Sequence, residues 1–259
     1  MIKLRTPVLT ATCLALLLPF WAPASEVSRI LPVEIYVEDN ADPFSRADGS
    51  GYANDVVTAA LNAAGVNIKL TVVPYARCKQ QVIKGRVAAC FNMSYSKELA
   101  NTVKLADTPL FSVTPVYFEN LAQPLKARKE EELGKGDTIG TVHDYEYPKS
   151  TMQIIERGGR LSPGRSEQIN LKKLAAGRLS SALVMTNDLT GASFWLDDAG
   201  VRGKVGIAFR SQGHQDAYFG VSTRHPRGLW LLEQYQNGMK RISNDGTLAK
   251  IKAKWSSPQ

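Results

Sequence analysis

The chain has 259 residues, 44% of them hydrophobic, and a formal net charge of +8. This length suits one large or two medium domains with buried cores. Excess positive charge is common in nucleic-acid-binding proteins, but the Lys and Arg residues here are scattered and form no basic helix or basic run with interleaved aromatic residues. The charge therefore predicts an ordinary basic surface, and we expect no nucleic-acid partner.

The first 24 residues predict a secretory signal peptide. Lys3 and Arg5 precede an apolar run over residues 8–20, and the small-x-small pattern that ends at Ala24 marks a cleavage point after that residue. The charge of +8 less these two cations leaves +6 on the mature chain. No later stretch offers the roughly 18 consecutive apolar residues that a membrane-spanning helix needs. We therefore expect a periplasmic protein whose mature part does not span the membrane.

Two cysteines remain after the predicted cleavage. Cys78 falls on a predicted short helix and Cys90 on the strand against which that helix packs. An even pair this close in an exported chain favours a disulfide, and two buried free thiols are the alternative. The three histidines, His143, His214 and His225, are isolated in the sequence and form no ligand-spaced cluster. We expect neither a metal nor a cofactor.

Predicted strands and helices alternate along the chain. Val33, Ile35 and Val37 mark a first strand that ends in the polar run 38–40, and a helix over about 54–64 follows. Further strands are predicted at 68–73, through 89–90, at 113–118, 138–142, 181–185 and 218–222, and further helices after Pro74, at 151–156 and 171–176, from Pro226, and from Asp245 to Trp255. Alternation of this kind predicts an α/β fold with parallel, doubly wound sheets.

Two features indicate where a ligand would bind. Residues 84–89 and 176–181 resemble each other, each segment joining a helix to a strand, and this repeat suggests two similar lobes. The strand that contains Cys90 opens into the polar residues Asn92, Ser94 and Ser96. Ligands of open α/β sheets bind at the carboxyl ends of the strands, because backbone donors and helix N-termini converge there.

Together these features resemble an extracellular solute-binding protein of family 3, the polar-amino-acid type of ABC importers. The motifs that carry the resemblance, in chain order, are the signal peptide, Pro43-Phe44, Gly51 with Asp55, Pro74-x-x-Arg77, Gly85-x-Val87, Ser96-x-Glu98, Pro109, Gly140-x-x-x-Asp144-Tyr145, Gly177-Arg178-Leu179, and Asp245-Gly246-Thr247 with Ile251 and Trp255. The resemblance covers essentially the whole mature chain.

The resemblance implies a two-lobed, type II periplasmic-binding-protein-like fold. Each lobe is a doubly wound sheet flanked by helices, and two hinge strands join the lobes. Lobe one is expected to hold residues 25–113 and 217–259, and lobe two residues 114–216. The implied function is capture of a small polar, amino-acid-like solute for an ABC permease by a monomer. A ligand-sensing module for a signalling receptor and an enzyme on the same scaffold are the alternatives, and because the sequence shows no nucleophile paired with a base, we expect no enzyme.

One position departs from the family pattern. Amino-acid-binding members carry an Arg directly after the Glu of the Ser/Thr-x-Glu segment, where it binds the ligand carboxylate, and this chain has Leu99 there. Leu cannot replace the bidentate, charge-assisted hydrogen bonds of a guanidinium. The identity of the ligand therefore stays open.

The expected ligand-binding residues lie at strand ends and helix starts on both lobes. They are Asp39, Arg77, Asn92, Ser94, Ser96, Tyr145 and Asn187. For three of them a structural role is an equal alternative. Asp39 could cap a turn, Arg77 could form a surface ion pair, and Tyr145 could pack in a core. Trp195 and Trp230 are interpreted as core residues.

Overall fold

The computed structural model describes residues 31–187, 189 and 191–256, and the described residues from Pro32 onward form one compact unit. The predicted signal peptide lies outside the described residues. Within them, no helix has the length and apolarity that crossing a membrane requires.

The unit consists of a large sheet flanked by helices. The described strands are β1 (Val33–Glu38), β2 (Asn40–Ala41), β3 (Ser45–Arg46), β4 (Ile68–Val73), β5 (Ala89–Met93), β6 (Val103–Leu105), β7 (Phe111–Asn120), β8 (Thr138–Val142), β9 (Arg160–Gly164), β10 (Ser181–Thr186), β11 (Val205–Arg210) and β12 (Gln215–Ser222). The described helices are α1 (Tyr52–Ala63), α2 (Tyr75–Ile83), α3 (Lys149–Glu156), α4 (Glu167–Ala175), α5 (Ala192–Asp198), α6 (Gly228–Asn244) and α7 (Thr247–Ser256), with a short 3-10 helix at Glu130–Glu132.

The strands follow the order β4-β1-β5-β12-β7-β10-β8-β9. At one end β1 pairs in parallel with β4 and β5, and at the other end β8 pairs in parallel with β9 and β10. Between them β12 and β7 are antiparallel to their neighbours. The predicted parallel α/β units are therefore present twice, with antiparallel strands inserted between them.

Strands β7 and β12 connect the two halves of the sheet. The first residues of β7 pair with β12, from Phe111 opposite Ala217 to Val113 opposite Gln215. The rest of β7 pairs with β10 and β11, while the later part of β12 pairs with β5 and β6. These are the segments expected to act as hinges. The boundaries of the two lobes stay a prediction.

A close contact between helices α1 and α6 anchors the first half. Gly238 of α6 lies so near α1 that an added Cβ would come within 1.8 Å of the carbonyl oxygen of Ala60. Any larger residue at position 238 would separate the helices, so glycine here serves close packing and not backbone freedom.

Most predicted elements are present within a few residues. Five described strands were not predicted, namely the short strands β2, β3 and β6 and the longer strands β9 and β11. Strand β9 contains Pro163 and ends at Gly164, which disfavours a strand assignment from sequence. It forms an edge of the sheet and pairs only with β8 among the described strands, and edge strands tolerate proline because one side makes no ladder hydrogen bonds. Strand β11 pairs with β7.

The predicted disulfide is confirmed. Cys78 of α2 and Cys90 of β5 are bonded, with their Cα atoms 5.7 Å apart. Both residues are fully buried in a cluster that also contains Val82 and Met93. The bond therefore attaches α2 to the central part of the first half-sheet, next to the polar end of β5.

We expect no free thiol in the mature protein purified without reductant. Thiol titration in denaturant should detect none before reduction and two after it. Reduction should lower the free energy of unfolding by about 3 kcal/mol, because the bond closes a short loop in the unfolded chain. Two thiols before reduction would contradict the pairing.

Candidate functional site

A buried cavity lies where β7 and β12 pair. Phe111 and Val113 of β7 and Gln215 and Ala217 of β12 contribute to its wall. It encloses about 50 Å³. Because one buried water needs roughly 10–15 Å³ on this scale, the cavity has room for a few waters.

The lining of the cavity is acidic and aromatic. It includes four carboxylates and five aromatic rings, and among the described residues no Lys, Arg or His lines it. The carboxylates belong to Glu38, Asp42, Glu146 and Glu167, and the rings to Phe44, Tyr75, Phe111, Tyr145 and Trp195. This acidic interior belongs to a chain whose net charge is +8.

Glu38 ends β1 and directs its carboxylate into the cavity. Its Oε1 accepts a hydrogen bond of 2.8 Å from Asn92 Nδ2, and its Oε2 accepts one of 2.8 Å from the Tyr145 hydroxyl. Asn92 adopts a left-handed backbone conformation with φ of 64°, which few residues other than glycine and asparagine tolerate. Burial raises the pKa of Glu38 to about 8, with added repulsion from Glu167 and Asp39, although the two hydrogen bonds oppose the rise.

Glu167 is the first residue of α4 and is 3% exposed. The preceding residue, Ser166, caps the helix by accepting a hydrogen bond from the amide of Ile169. The Oε2 atom of Glu167 is buried and has no hydrogen-bond partner among the described residues. Burial raises the pKa of Glu167 to about 7. Buried polar atoms without partners are uncommon, so this oxygen requires an explanation.

Glu146, in the loop after β8, forms an ion pair and two hydrogen bonds. Its Oε1 lies 2.9 Å from Lys79 Nζ, and its Oε2 accepts hydrogen bonds from the Tyr75 hydroxyl at 2.5 Å and from the Ser94 amide at 3.3 Å. Tyr75 and Lys79 lie on α2, and Ser94 directly follows β5. Glu146 therefore ties the loop after β8 to α2 and to the end of β5.

Lys79 is occupied by groups from both halves of the molecule. Besides Glu146 it pairs with Glu98 at 2.9 Å and donates to the carbonyl of Asp144 at 3.2 Å. Asp144 also has a left-handed backbone conformation, with φ of 60°. The three acceptors use the three donors of the ammonium group.

The fourth carboxylate is paired as well. Asp42 accepts two hydrogen bonds, of 2.8 and 2.9 Å, from the Arg46 guanidinium. Neither Glu38 nor Glu167 forms an ion pair with any residue that the structure describes. The cavity thus contains two charge-compensated carboxylates and two uncompensated ones.

Aromatic rings form much of the remaining wall. Phe44 stacks on Phe111 with centroids 3.5 Å apart, and Tyr75 meets Tyr145 edge to face at 5.2 Å. Trp195 of α5 is 2% exposed, and its indole nitrogen has no described partner. Rings next to carboxylates can bind the apolar part of a ligand and, through their π faces, a cation.

Three of the residues expected to bind ligand, Asn92, Ser94 and Tyr145, line this cavity. Asp39 lies in an adjacent recess, 3.5 Å from Arg165. Among the other three, Arg77 is exposed on α2, Ser96 has a buried hydroxyl, and Asn187 accepts a hydrogen bond from the amide of Leu189. These three do not line the cavity. Ligand contact stays a prediction for all seven.

Leu99 is 2% exposed and packs in the cluster around the disulfide, together with Val82, Met93 and Val103. The position that carries the carboxylate-binding Arg in amino-acid-binding members is therefore a core position here. Its side chain does not line the cavity.

Sequence reasoning missed all four carboxylates of the lining, Glu38, Asp42, Glu146 and Glu167, and it interpreted Trp195 as a core residue. A usable signal existed for Glu38, because it is the last residue of the first strand and precedes the residue that was selected, Asp39. For Glu146 and Glu167 no local pattern indicates burial.

Comparisons with known proteins agree with this architecture. The family model described as bacterial extracellular solute-binding proteins, family 3, matches residues 33–258. Among curated protein sequences, none matches this chain.

Several solved structures share the fold. A histidine kinase sensor domain with similarity to periplasmic binding proteins has a TM-score of 0.73 at 19% identity, covering 88% of this chain and 97% of that one. The arginine-, lysine-, histidine-binding protein ArtJ from Geobacillus stearothermophilus has a TM-score of 0.71 at 15% identity, covering 87% and 95%. The ancestral amino acid-binding protein AncCDT-1, a precursor of cyclohexadienyl dehydratase, has a TM-score of 0.71 at 15% identity, covering 90% and 98%. They confirm the expected type II periplasmic-binding-protein-like fold.

The raised pKa of Glu38 predicts a dependence of stability on pH. A carboxyl group with a pKa of about 8 in the folded state and an ordinary value near 4.5 binds its proton more tightly when folded. Its contribution to stability is complete below about pH 4.5 and is lost as the pH rises through about 8. Glu38→Gln cannot ionise and should avoid this loss. Between pH 5 and pH 9 the variant should gain about 2 to 4 kcal/mol in free energy of unfolding relative to the unmodified protein.

Urea denaturation at both pH values measures this difference. Glu34→Gln is the matched control, because Glu34 lies on the same strand but is exposed. An equal response of both variants to pH would contradict the burial of an uncompensated carboxyl group at position 38.

Proposed function

Because this chain belongs to the bacterial extracellular solute-binding proteins of family 3, we propose that it captures a small polar solute in the cavity beside β7 and β12. The observation that carries the proposal is the buried, uncompensated polar lining, with Glu38 and Glu167 both 3% exposed. Burying such groups is costly unless a ligand satisfies them. A site of this kind is suited to binding a dissolved polar solute whose groups replace the missing hydrogen-bond partners.

The walls of the cavity support a closing mechanism. Side chains from the proposed lobe one, residues 25–113 and 217–259, meet side chains from the proposed lobe two, residues 114–216. Glu38 accepts from Tyr145, and Tyr75 donates to Glu146. Each of these bonds can be exchanged for a bond to water or ligand, so the closed and open arrangements can differ by only a few kcal/mol.

The crossing strands supply the hinges. Both β7 and β12 continue from one half of the sheet into the other, near Val113 and Gln215. Rotation about these segments would open the cavity without disrupting either set of parallel strands. Opening is required for solutes larger than a few waters, because the closed volume is about 50 Å³.

We propose delivery to an ABC permease as the use of this capture, by a periplasmic monomer released by cleavage after Ala24. ArtJ, which shares the fold, is described as an arginine-, lysine-, histidine-binding protein, and this supports a binding role. Sensing for a signalling receptor is the second candidate, because a histidine kinase sensor domain shares the fold. Deletion of the cognate permease gene separates the two, since uptake of the solute would stop while a sensory response would persist.

Ligand binding should make the molecule more compact. A thermal-shift screen of amino acids, amines, short peptides and organic acids on the mature protein supplies the ligand, and small-angle scattering should then show a smaller radius of gyration with that ligand bound. Closure adds contacts that the open state lacks, which is why the closed state is favoured. A tight ligand that leaves the scattering profile unchanged would contradict the mechanism.

Tyr145→Phe tests the closing contact. Loss of the hydroxyl that donates to Glu38 should weaken binding of the tightest hit by about fivefold, corresponding to one hydrogen bond. Tyr95→Phe is the control, because the Tyr95 side chain is 72% exposed. Equal affinities of the two variants for that hit would show that the contact does not contribute to capture.

A further inference from the structure

Building on the proposed capture function, we propose that the solute is a small amine that carries no carboxylate, with its ammonium group between Glu38 and Glu167 and its apolar part against the aromatic wall. Four observations lead to this assignment. They concern the charge balance of the cavity, the unsatisfied oxygen of Glu167, the occupied anion-binding groups and the aromatic rings.

The charge balance calls for a cation. Of the four carboxylates in the lining, Asp42 is paired with Arg46 and Glu146 with Lys79. Among the described residues, Glu38 has only the neutral donors Asn92 and Tyr145. A buried carboxylate is stabilised most by a cation that also donates hydrogen bonds, and an ammonium does both.

Glu167 points to the same ligand independently of Glu38. Its Oε2 is an acceptor without a described partner in a side chain that is 97% buried, and the residue lines the cavity. An ammonium group offers three hydrogen-bond donors. It can donate to Glu167 and to Glu38 together, which a hydroxyl with a single donor cannot do.

The anion-binding groups next to the cavity are already used. The Ser94 amide and Lys79 Nζ would suit a ligand carboxylate, but both contact Glu146. The Lys79 ammonium also serves Glu98 and the carbonyl of Asp144. A carboxylate on the ligand would find no free cation among the described residues of the lining and would be repelled by the carboxylates there.

The aromatic wall suits the rest of an amine. Phe44, stacked on Phe111, and Trp195 line the cavity that the two carboxylates share. Rings bind alkyl and aryl groups by apolar contact and bind an ammonium through their π faces.

Protonation of the empty site provides a second signature. The pKa values of Glu38, about 8, and of Glu167, about 7, are both raised by burial, so the empty cavity holds protons at pH 7. Glu38 faces Asn92 from β5, Tyr145 from the loop after β8 and Glu167 from α4, and Asp39 follows it in the chain. No described cation among these groups keeps Glu38 ionised. A bound ammonium would displace the protons, and binding should release them to the buffer.

Calorimetric titration with matched pairs tests the assignment. Each pair consists of an amine and the amino acid that differs from it only by the α-carboxylate: isobutylamine and valine, phenethylamine and phenylalanine, and cadaverine and lysine. At least one amine should bind the mature protein about tenfold or more tightly than its amino acid, because like charges in a buried site repel. Titrations at pH 7 in two buffers of different ionisation enthalpy should show proton release.

Variants locate the ammonium. Glu38→Gln and Glu167→Gln should each weaken binding of that amine by about 10- to 100-fold, as expected for the loss of a charge-assisted hydrogen bond. Glu34→Gln removes the same charge from the exposed face of β1 and should change the affinity less than twofold. Far-ultraviolet circular dichroism and thermal melts establish that each variant is folded. Proton release is measured on the unmodified protein, so that part of the test does not depend on whether a variant folds.

Two results would overturn the assignment. One is that every amine that binds is matched in affinity by its amino acid, and the other is that none of the amines binds below millimolar concentration. In either case a hit among the amino acids, peptides or organic acids of the wider screen would leave the capture function standing. An absence of any hit in that screen would contradict the capture function itself.

Discussion

A carboxylate that is removed from water must be paired, hydrogen-bonded or protonated, and the candidate site depends on how four carboxylates meet this requirement. Asp42 and Glu146 are paired with Arg46 and Lys79, and these pairs fix parts of the wall in place. Glu38 and Glu167 form no ion pair within the described part of the chain and have raised pKa values. The paired carboxylates therefore belong to the framework of the cavity. The other two are the acidic groups that remain available to a ligand.

The position of Glu146 illustrates how the framework is held. Its partners Tyr75, Lys79 and Ser94 come from α2 and from the end of β5, and α2 is fastened to β5 by the Cys78–Cys90 bond. The two described non-glycine residues with left-handed backbone, Asn92 and Asp144, both lie in this region. Such conformations cost free energy and persist where the surroundings fix them. The backbone of Asn92 places its side-chain amide against Glu38. Asp144 directly precedes Tyr145 and Glu146 in the chain.

Local sequence patterns predicted the fold well because α/β alternation is a local property. The strands β1, β4, β8 and β10 and the disulfide followed from periodicity and spacing. Strand-end reasoning also selected Asn92, Ser94 and Tyr145, which do line the cavity. The same reasoning selected Asp39 and not Glu38, because it ended the alternation of apolar and polar residues in the first strand at Val37. In the structure both Val37 and Glu38 are buried at the end of β1.

The remaining site residues depend on contacts that no local pattern contains. Glu167 was missed because β9, which contains Pro163, was not recognised as a strand. The start of α4 was consequently placed too late, and the residue that begins the helix was not associated with a strand end. Glu146 is buried because Lys79, 67 positions earlier, meets it in space. An isolated glutamate in a loop carries no sign of such a partner.

The same pairings limit which ligands the site can accept. In amino-acid-binding members a guanidinium after the Ser/Thr-x-Glu segment receives the ligand carboxylate, but in this chain Leu99 packs into the core at that position. Lys79, a cation next to the cavity, is held by Glu146 and Glu98 together. It therefore cannot serve a ligand carboxylate without leaving one of these glutamates less well paired. If the proposed site binds a solute, the charges that are already paired would therefore govern its selectivity more than the shape of the cavity would. A change of ligand class would have to begin by releasing Lys79 from Glu146, a contact that also helps to hold the two halves of the site together.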